Sequence, residues 1–240
     1  MRVIFLQEIW FPLQQVMVLS GALKKAGHKT AVAIGNWKKI FPELRNFQPD
    51  IIAFPVITPY RKFMMETSAK IKKSGFKSLI IVGGYDASFF PQIIEKTDID
   101  ALCIGEGEEA LVEFANALES EKDYSNIKNL WIKKNNRIIK NPIRPFIDLN
   151  KKDFEDRDIY RNYSSYFKDL GFEQIMAGRG CPYQCSYCFN HQYRNLYLPV
   201  DKNYCELKSP DKVIEECLIL KTKYKVKNIF FNDSTLVSYQ

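Results

Sequence analysis

The run Arg2-Val3-Ile4-Phe5-Leu6-Gln7, then Leu13-Gln14-Gln15-Val16-Met17-Val18-Leu19-Ser20-Gly21-Ala22-Leu23-Lys24-Lys25-Ala26-Gly27, then Thr30-Ala31-Val32-Ala33-Ile34, decides the fold. The first run is apolar without alternation, as a strand buried on both faces requires. The second has helical spacing and stops at Gly27, the residue favoured just past a helix end. The third is another buried strand. The alternation continues with strands at 50–55, 78–82 and 101–104 and helices at 60–74 and 108–118. This pattern predicts an α/β fold, a parallel sheet with helices on both faces. In such sheets the ligand crevice lies at the carboxyl ends of the strands.

Further along, two short strands flank Asn135-Asn136, a hairpin turn signal. Pro142, Pro145 and the polar residues 150–158 read as a linker. A strand at 172–177 then leads into a cysteine-rich loop. A helix from Pro210 to Tyr224, with proline in its first turn, precedes a strand at 228–232. The expected organisation is a first domain over 1–125, a hairpin and linker over 126–170, and a second domain over 171–240. The second domain holds only two strands, too few to close a barrel, so a longer protein is expected.

With 46% hydrophobic residues in 240, the chain can bury a sizeable core. The net charge of +7 is spread over Lys pairs such as Lys24-Lys25, Lys72-Lys73 and Lys133-Lys134. That scatter favours a solvated surface over a nucleic-acid interface. No apolar run approaches the roughly 20 residues that span a bilayer, and the opening residues turn polar too soon for a signal peptide. Of six cysteines, three cluster and three are scattered: Cys103 reads as a core strand residue, and Cys205 and Cys217 as structural thiols or a substrate-side cysteine. That usage fits reduced thiols in a soluble, cytoplasmic protein better than a disulfide framework.

The loop reads Gly178-Arg179-Gly180-Cys181-Pro182-Tyr183-Gln184-Cys185-Ser186-Tyr187-Cys188. Three thiolates in eight residues can hold three corners of an iron–sulfur cube, leaving one iron open to substrate or cofactor. The bland alternative is a structural zinc site completed by His191 as a Cys3His set.

The spacing Cys181-x-x-x-Cys185-x-x-Cys188 after a strand, with an aromatic residue before the last cysteine, resembles the signature of the radical SAM superfamily. The resemblance implies that Cys181, Cys185 and Cys188 bind a 4Fe–4S cluster whose fourth iron chelates S-adenosylmethionine. Reductive cleavage then yields methionine and a 5′-deoxyadenosyl radical that takes a hydrogen atom from substrate. It places Tyr187 near the adenine and Asp233, in Ile229-Phe230-Phe231-Asn232-Asp233, near the methionyl part. Asp233 equally reads as a strand-end turn cap. The second domain is then the start of a radical SAM partial (βα)6 barrel.

The first domain resembles the Rossmann-like cobalamin-binding domain of cobalamin-dependent radical SAM enzymes. The resemblance rests on Trp10-Phe11-Pro12-Leu13-Gln14 followed by Leu23-Lys24-Lys25-Ala26-Gly27-His28, and on two strand-end turns. Those turns are Gly83-Gly84-Tyr85-Asp86 and Gly105-Glu106-Gly107-Glu108, and the resemblance puts Gly83, Gly84, Tyr85, Gly105, Glu106 and Gly107 around the corrinoid. Taken singly, Gly-Gly after a strand is a common turn, and glutamates at a helix start favour the macrodipole. Corrinoid carriers that ligate cobalt through histidine place Asp-x-His-x-x-Gly after the first strand. Here Gln7-Glu8-Ile9-Trp10-Phe11-Pro12 has no histidine, and His28 reads as a helix-end turn residue, so the cobalt is expected to lack a lower histidine.

The resemblance implies an enzyme with cobalamin, S-adenosylmethionine and a 4Fe–4S cluster, transferring a methyl group to an unactivated carbon or performing related radical C–C or C–O chemistry. A branch performs oxidative cyclisation on the route to the magnesium-porphyrin ring, and Glu8-x-Trp10-Phe11 resembles its opening. The implied partners are a small-molecule or natural-product substrate and an electron donor such as flavodoxin or ferredoxin. The other readings are a corrinoid- or nucleotide-binding module with structural zinc, and, from the positive charge alone, a radical SAM RNA modifier.

Overall fold

The computed structural model describes residues 1–135, 137–167, 170–202 and 205–236. They form two compact units: Met1–Ile143 with Glu155–Arg161, and Arg144–Phe154 with the chain from Asn162 onward.

The first unit runs β1 (Arg2–Gln7), α1 (Gln14–Lys25), β2 (Lys29–Ile34), α2 (Trp37–Phe47), β3 (Ile51–Pro55), α3 (Arg61–Lys73), β4 (Leu79–Gly83), α4 (Tyr85–Phe89), β5 (Ala101–Cys103), α5 (Glu108–Glu119), β6 (Leu130–Lys134) and β7 (Arg137–Lys140). They build one sheet in the order β2-β1-β3-β4-β5-β6-β7. β1 to β5 are parallel, and the β6–β7 hairpin adds antiparallel to β5, with Leu102 opposite Trp131. The fold is therefore α/β with a Rossmann-like, mostly parallel sheet, as the alternation predicts.

Val3, Ile4, Phe5 and Leu6 are buried on both faces because β1 lies between β2 and β3. α1 seals one face through Val16, Met17, Ser20 and Leu23, which recur at helical spacing. Each fully buried Leu, Ile or Phe contributes about 1.5–3 kcal/mol over an exposed one. β1 pairs outward with β2 and inward with β3, so the chain reverses direction across the sheet there. That reversal is the topological switch point of the 2-1-3-4-5 order.

Residues 35–49, unassigned from periodicity, contain α2. Pro42 inside it masks the helix as a breaker would, yet Ile40 and Leu44, four residues apart, bury one stripe. In the hairpin Asn135 takes φ 52°, and Lys140 lies over the Trp131 ring at 4.4 Å. Asn136, the other half of the expected turn, lies outside the described residues.

The second unit contains α6 (Ser164–Phe167), β8 (Glu173–Ile175), β9 (Gly178–Arg179), α7 (Asn190–Tyr197), β10 (Glu206–Leu207), α8 (Pro210–Thr222) and β11 (Ile229–Phe231). β8 and β11 pair in parallel, and β9 and β10 antiparallel. α8 starts as its sequence dictates: the Ser209 hydroxyl accepts from the Lys212 N–H and Pro210 fills the first turn. Phe146 stacks on the buried Tyr197 ring at 3.7 Å. Among the described residues no helix is long and apolar enough to cross a membrane.

Candidate functional site

Parallel strands deliver the turns after β1, β3, β4 and β5 to the same edge of the first unit. A cleft opens there at the switch point, walled by Leu6, Gln7, Ile9 and Leu13 on the β1 side and by Phe54 and Val56 on the β3 side. Around that edge Trp10, Ile57, Tyr85 and Phe90 remain exposed. Each is about 40% exposed, and Lys39 lies over the Trp10 ring, so the edge carries a partly exposed apolar rim.

The β4 turn is fixed by close backbone approach. Gly84 has φ 101° and ψ −175°, and a Cβ there would lie 2.5 Å from the Val56 carbonyl oxygen. The Val56 N–H donates to the Gly83 carbonyl at 2.8 Å, and the Asp86 N–H donates to the Val56 carbonyl at 3.2 Å. Only glycine reaches this conformation without strain, so what approaches Gly84 in the structure is the β3 loop. The buried Ser88 joins two predicted turns: its hydroxyl donates to the Gly84 carbonyl and accepts from the Gly105 N–H, both at 3.0 Å. Gly107 precedes α5 and packs against Leu19 and Cys103, and the Glu106 carbonyl accepts from the Cys103 thiol. Tyr85 is an exposed ring at the start of α4.

Asp86, 1% exposed, is held bidentately by Arg61 from α3, at 2.9 and 2.7 Å, with the guanidinium 4.6 Å above the Phe90 ring. The bond from Asp86 pushes the Arg61 pKa up. This planar pairing clamps the β3 and β4 turns together. His28 lies at the opposite edge, where the strands begin. It is buried, with Nε2 3.0 Å from Asn116 Oδ1 and Nδ1 3.2 Å from the chain's amino group. A His28→Ala variant is therefore expected to lose about 1–3 kcal/mol of stability in urea unfolding and, being remote from the cleft, to leave unchanged the visible spectrum of any cobalamin the protein takes up.

In the second unit the cysteine loop lies between β9 and α7. Cys181 is buried, Cys188 half-buried and Cys185 exposed, with the Cys188 N–H donating to the Cys185 carbonyl at 3.0 Å. Tyr187 is 92% exposed. The thiols have the donor chemistry of an iron–sulfur site but are not drawn into a cage. Among the described residues no three or more His, Cys, Asp or Glu side chains converge on one metal position. His191, on the first turn of α7, has a buried Nδ1 with no hydrogen-bond partner among the described residues.

Asp233 braces the loop's entry: its two oxygens accept from the Ala177 N–H at 3.1 Å and the Gly178 N–H at 2.6 Å. Burial pushes the Asp233 pKa up, against the pull of those bonds. Gly178 is glycine because a Cβ would meet the Glu206 carbonyl of β10 at 2.6 Å. Cys103 is a buried strand residue, Cys205 and Cys217 are half-buried, and burial raises the Cys217 thiol pKa.

Sequence reasoning missed Ser88, the Arg61–Asp86 clamp, and the pair Gln7 and Tyr160. Gln7 carries a legible signal, an amide closing an otherwise apolar strand. Tyr160 is an aromatic residue inside a stretch read as linker.

The B12 binding domain family matches residues 8–115. The chain is 31% identical over 221 residues to the anaerobic magnesium-protoporphyrin IX monomethyl ester cyclase of Cereibacter sphaeroides, covering 86% of this chain and 34% of that protein. It is 29% identical to an uncharacterized methyltransferase of Pyrococcus horikoshii, covering 80% of this chain and 41% of the relative. The chain thus spans about a third to two fifths of these relatives' length. Among solved structures, the cobalamin-dependent S-adenosylmethionine radical enzyme OxsB shares the fold at TM-score 0.78 and 20% identity, over 100% of this chain and 34% of its own. The radical S-adenosylmethionine methyltransferase TsrM from Kitasatospora setae follows at TM-score 0.72 and 19% identity, over 97% of this chain and 47% of its own. Residues 8–115 thus match the B12 binding domain family, and the chain shares its fold with the solved OxsB and TsrM structures.

Proposed function

We propose that this chain carries the corrinoid site and the S-adenosylmethionine loop of an enzyme that transfers a methyl group to an unactivated carbon or performs related radical C–C or C–O chemistry. The observation that carries this reading is the switch-point cleft with its partly exposed apolar rim, lying within the B12 binding match. Gly83, Gly84, Tyr85, Gly105, Glu106 and Gly107 form the turns against which the corrinoid packs. Cys181, Cys185 and Cys188 are the proposed ligands of a 4Fe–4S cluster, with Tyr187 beside the adenine of S-adenosylmethionine and Asp233 on its methionyl side. The cluster and cobalamin supply the one-electron and methyl-carrier chemistry; the chain's own part is to bind, orient and shield. Asp233 does so by holding the Ala177 and Gly178 amides where the cysteine loop begins. A small-molecule substrate and an electron donor such as flavodoxin or ferredoxin complete the scheme in a reducing cytoplasm.

The test is metal and cofactor content after anaerobic purification and reconstitution. About four irons per chain are expected, with bound cobalamin visible in the absorption spectrum and iron lost in a Cys185→Ala variant. A colourless, zinc-loaded protein would favour the second reading, a corrinoid-binding module with structural zinc. The buried, unpartnered His191 Nδ1, three residues past Cys188, favours that reading. Cyclisation instead of methyl transfer is supported by the Cereibacter sphaeroides relative's name. It is separated from methylation by whether the product gains a carbon or a ring.

A further inference from the structure

The chain returns to the first unit for Glu155–Arg161, and Tyr160 in that segment reaches the loop after β1. The Tyr160 ring is 4% exposed; its hydroxyl donates to Gln7 Oε1 at 2.6 Å and accepts from the Leu13 N–H at 3.1 Å. Gln7, 3% exposed, spends its amide group on the same loop, donating to the Ile9 carbonyl at 2.7 Å and to the Phe11 carbonyl at 2.9 Å. Two buried side chains thus pin residues 9, 11 and 13, every second position along the loop. Glu8 and Trp10 between them point outward and are exposed. In a buried network each unmade bond strands a polar group, so the loop has one shape in which all of these are satisfied.

The returning segment has its own anchor. Asp156 accepts from the Ser20 hydroxyl, pairs with Lys24 at 2.6 Å, and donates its N–H to the Met17 carbonyl. Removing the Tyr160 hydroxyl therefore releases the Leu13 N–H and Gln7 Oε1, and so loosens the loop, without freeing the segment. The loop is one wall of the cleft, through Ile9 and Leu13.

We infer that Tyr160 is a positioning residue for the corrinoid site: through Gln7 and Leu13 it sets the shape of the β1–α1 loop that walls the cleft, and with it the affinity and visible spectrum of a bound corrinoid. This rests on the corrinoid reading above. The experiment titrates hydroxocobalamin into the protein and its variants, following the visible bands of the bound form, with urea unfolding in parallel. Tyr160→Phe is expected to weaken binding about tenfold and to shift those bands. Gln7→Glu still accepts from Tyr160 but has no amide protons for Ile9 and Phe11, and is expected to give the same shift. Ser78→Ala removes a buried bond to the Pro49 carbonyl at the opposite edge of the sheet. It is expected to lower the unfolding midpoint and leave affinity and spectrum alone. Wild-type binding with an unchanged Tyr160→Phe, or a Tyr160→Phe indistinguishable from Ser78→Ala, overturns the inference alone. Failure of the wild-type protein to bind hydroxocobalamin overturns the corrinoid reading and this inference with it.

Discussion

A Gly84→Ala variant is expected to lose on the order of 3 kcal/mol or more, and with it most of the corrinoid affinity, whereas Gly83→Ala stays within about 1 kcal/mol of wild type. The neighbours differ in what a methyl group meets. At Gly84 it collides with the Val56 carbonyl at 2.5 Å on a residue already at φ 101°. At Gly83 it finds only Cys103 Cβ at 3.7 Å, an ordinary contact. Because the struck atom is backbone, the relief is movement of the whole β3 loop. That movement breaks the Val56–Gly83 and Asp86–Val56 hydrogen bonds and reshapes the cleft. Urea unfolding and hydroxocobalamin titration of the two variants side by side read the difference. Equal effects at both positions would mean that the close approach to Val56 does not govern the turn.

The Gly-Gly pair was legible in the sequence as a strand-end turn, and its partner was not. Nothing in residues 83–86 names Val56, about thirty positions earlier; only the β3–β4 register brings them together. The same holds for Ser88, whose hydroxyl links two turns that the sequence shows as separate features. Motifs are local, but the atoms that shape them come from neighbouring strands.

In the second unit the largest effect is expected at the Lys208–Glu216 pair, 2.7 Å apart with side chains 9% and 2% exposed. Glu216→Leu leaves the Lys208 ammonium without this partner and should cost about 3–5 kcal/mol. Lys208→Met combined with Glu216→Leu removes both charges and should recover most of that loss, since apolar replacements of a buried pair are often neutral or stabilising. Lys208 also donates its backbone N–H to the Ala177 carbonyl, beside the amide that Asp233 accepts from. The single variant is therefore expected to incorporate less iron on reconstitution than the double. Chemical unfolding with iron analysis checks both halves; a double variant as unstable as the single would rule out the broken Lys208–Glu216 pairing as the cause.

The order of strands and helices was carried by local pattern, because a strand buried on both faces must be continuously apolar and a surface helix must be amphipathic. The cysteine spacing was equally local: three thiols in eight residues raise the expectation of a metal site from the sequence alone. Residues 35–49 escaped because Pro42 imitates a helix stop, and the hairpin, plain as a hairpin, gave no sign that it would extend the sheet beside β5. The placement of the site belonged to the tertiary structure. The switch point exists only because β2 and β3 pair on opposite sides of β1, and that choice follows from long-range packing. His28 lay at the edge away from the cleft, and Tyr160, in a stretch that reads as linker, reached the loop that walls the cleft. Hydrogen bonds between residues over a hundred positions apart leave no periodic trace in a chain, so they become visible only once it is folded.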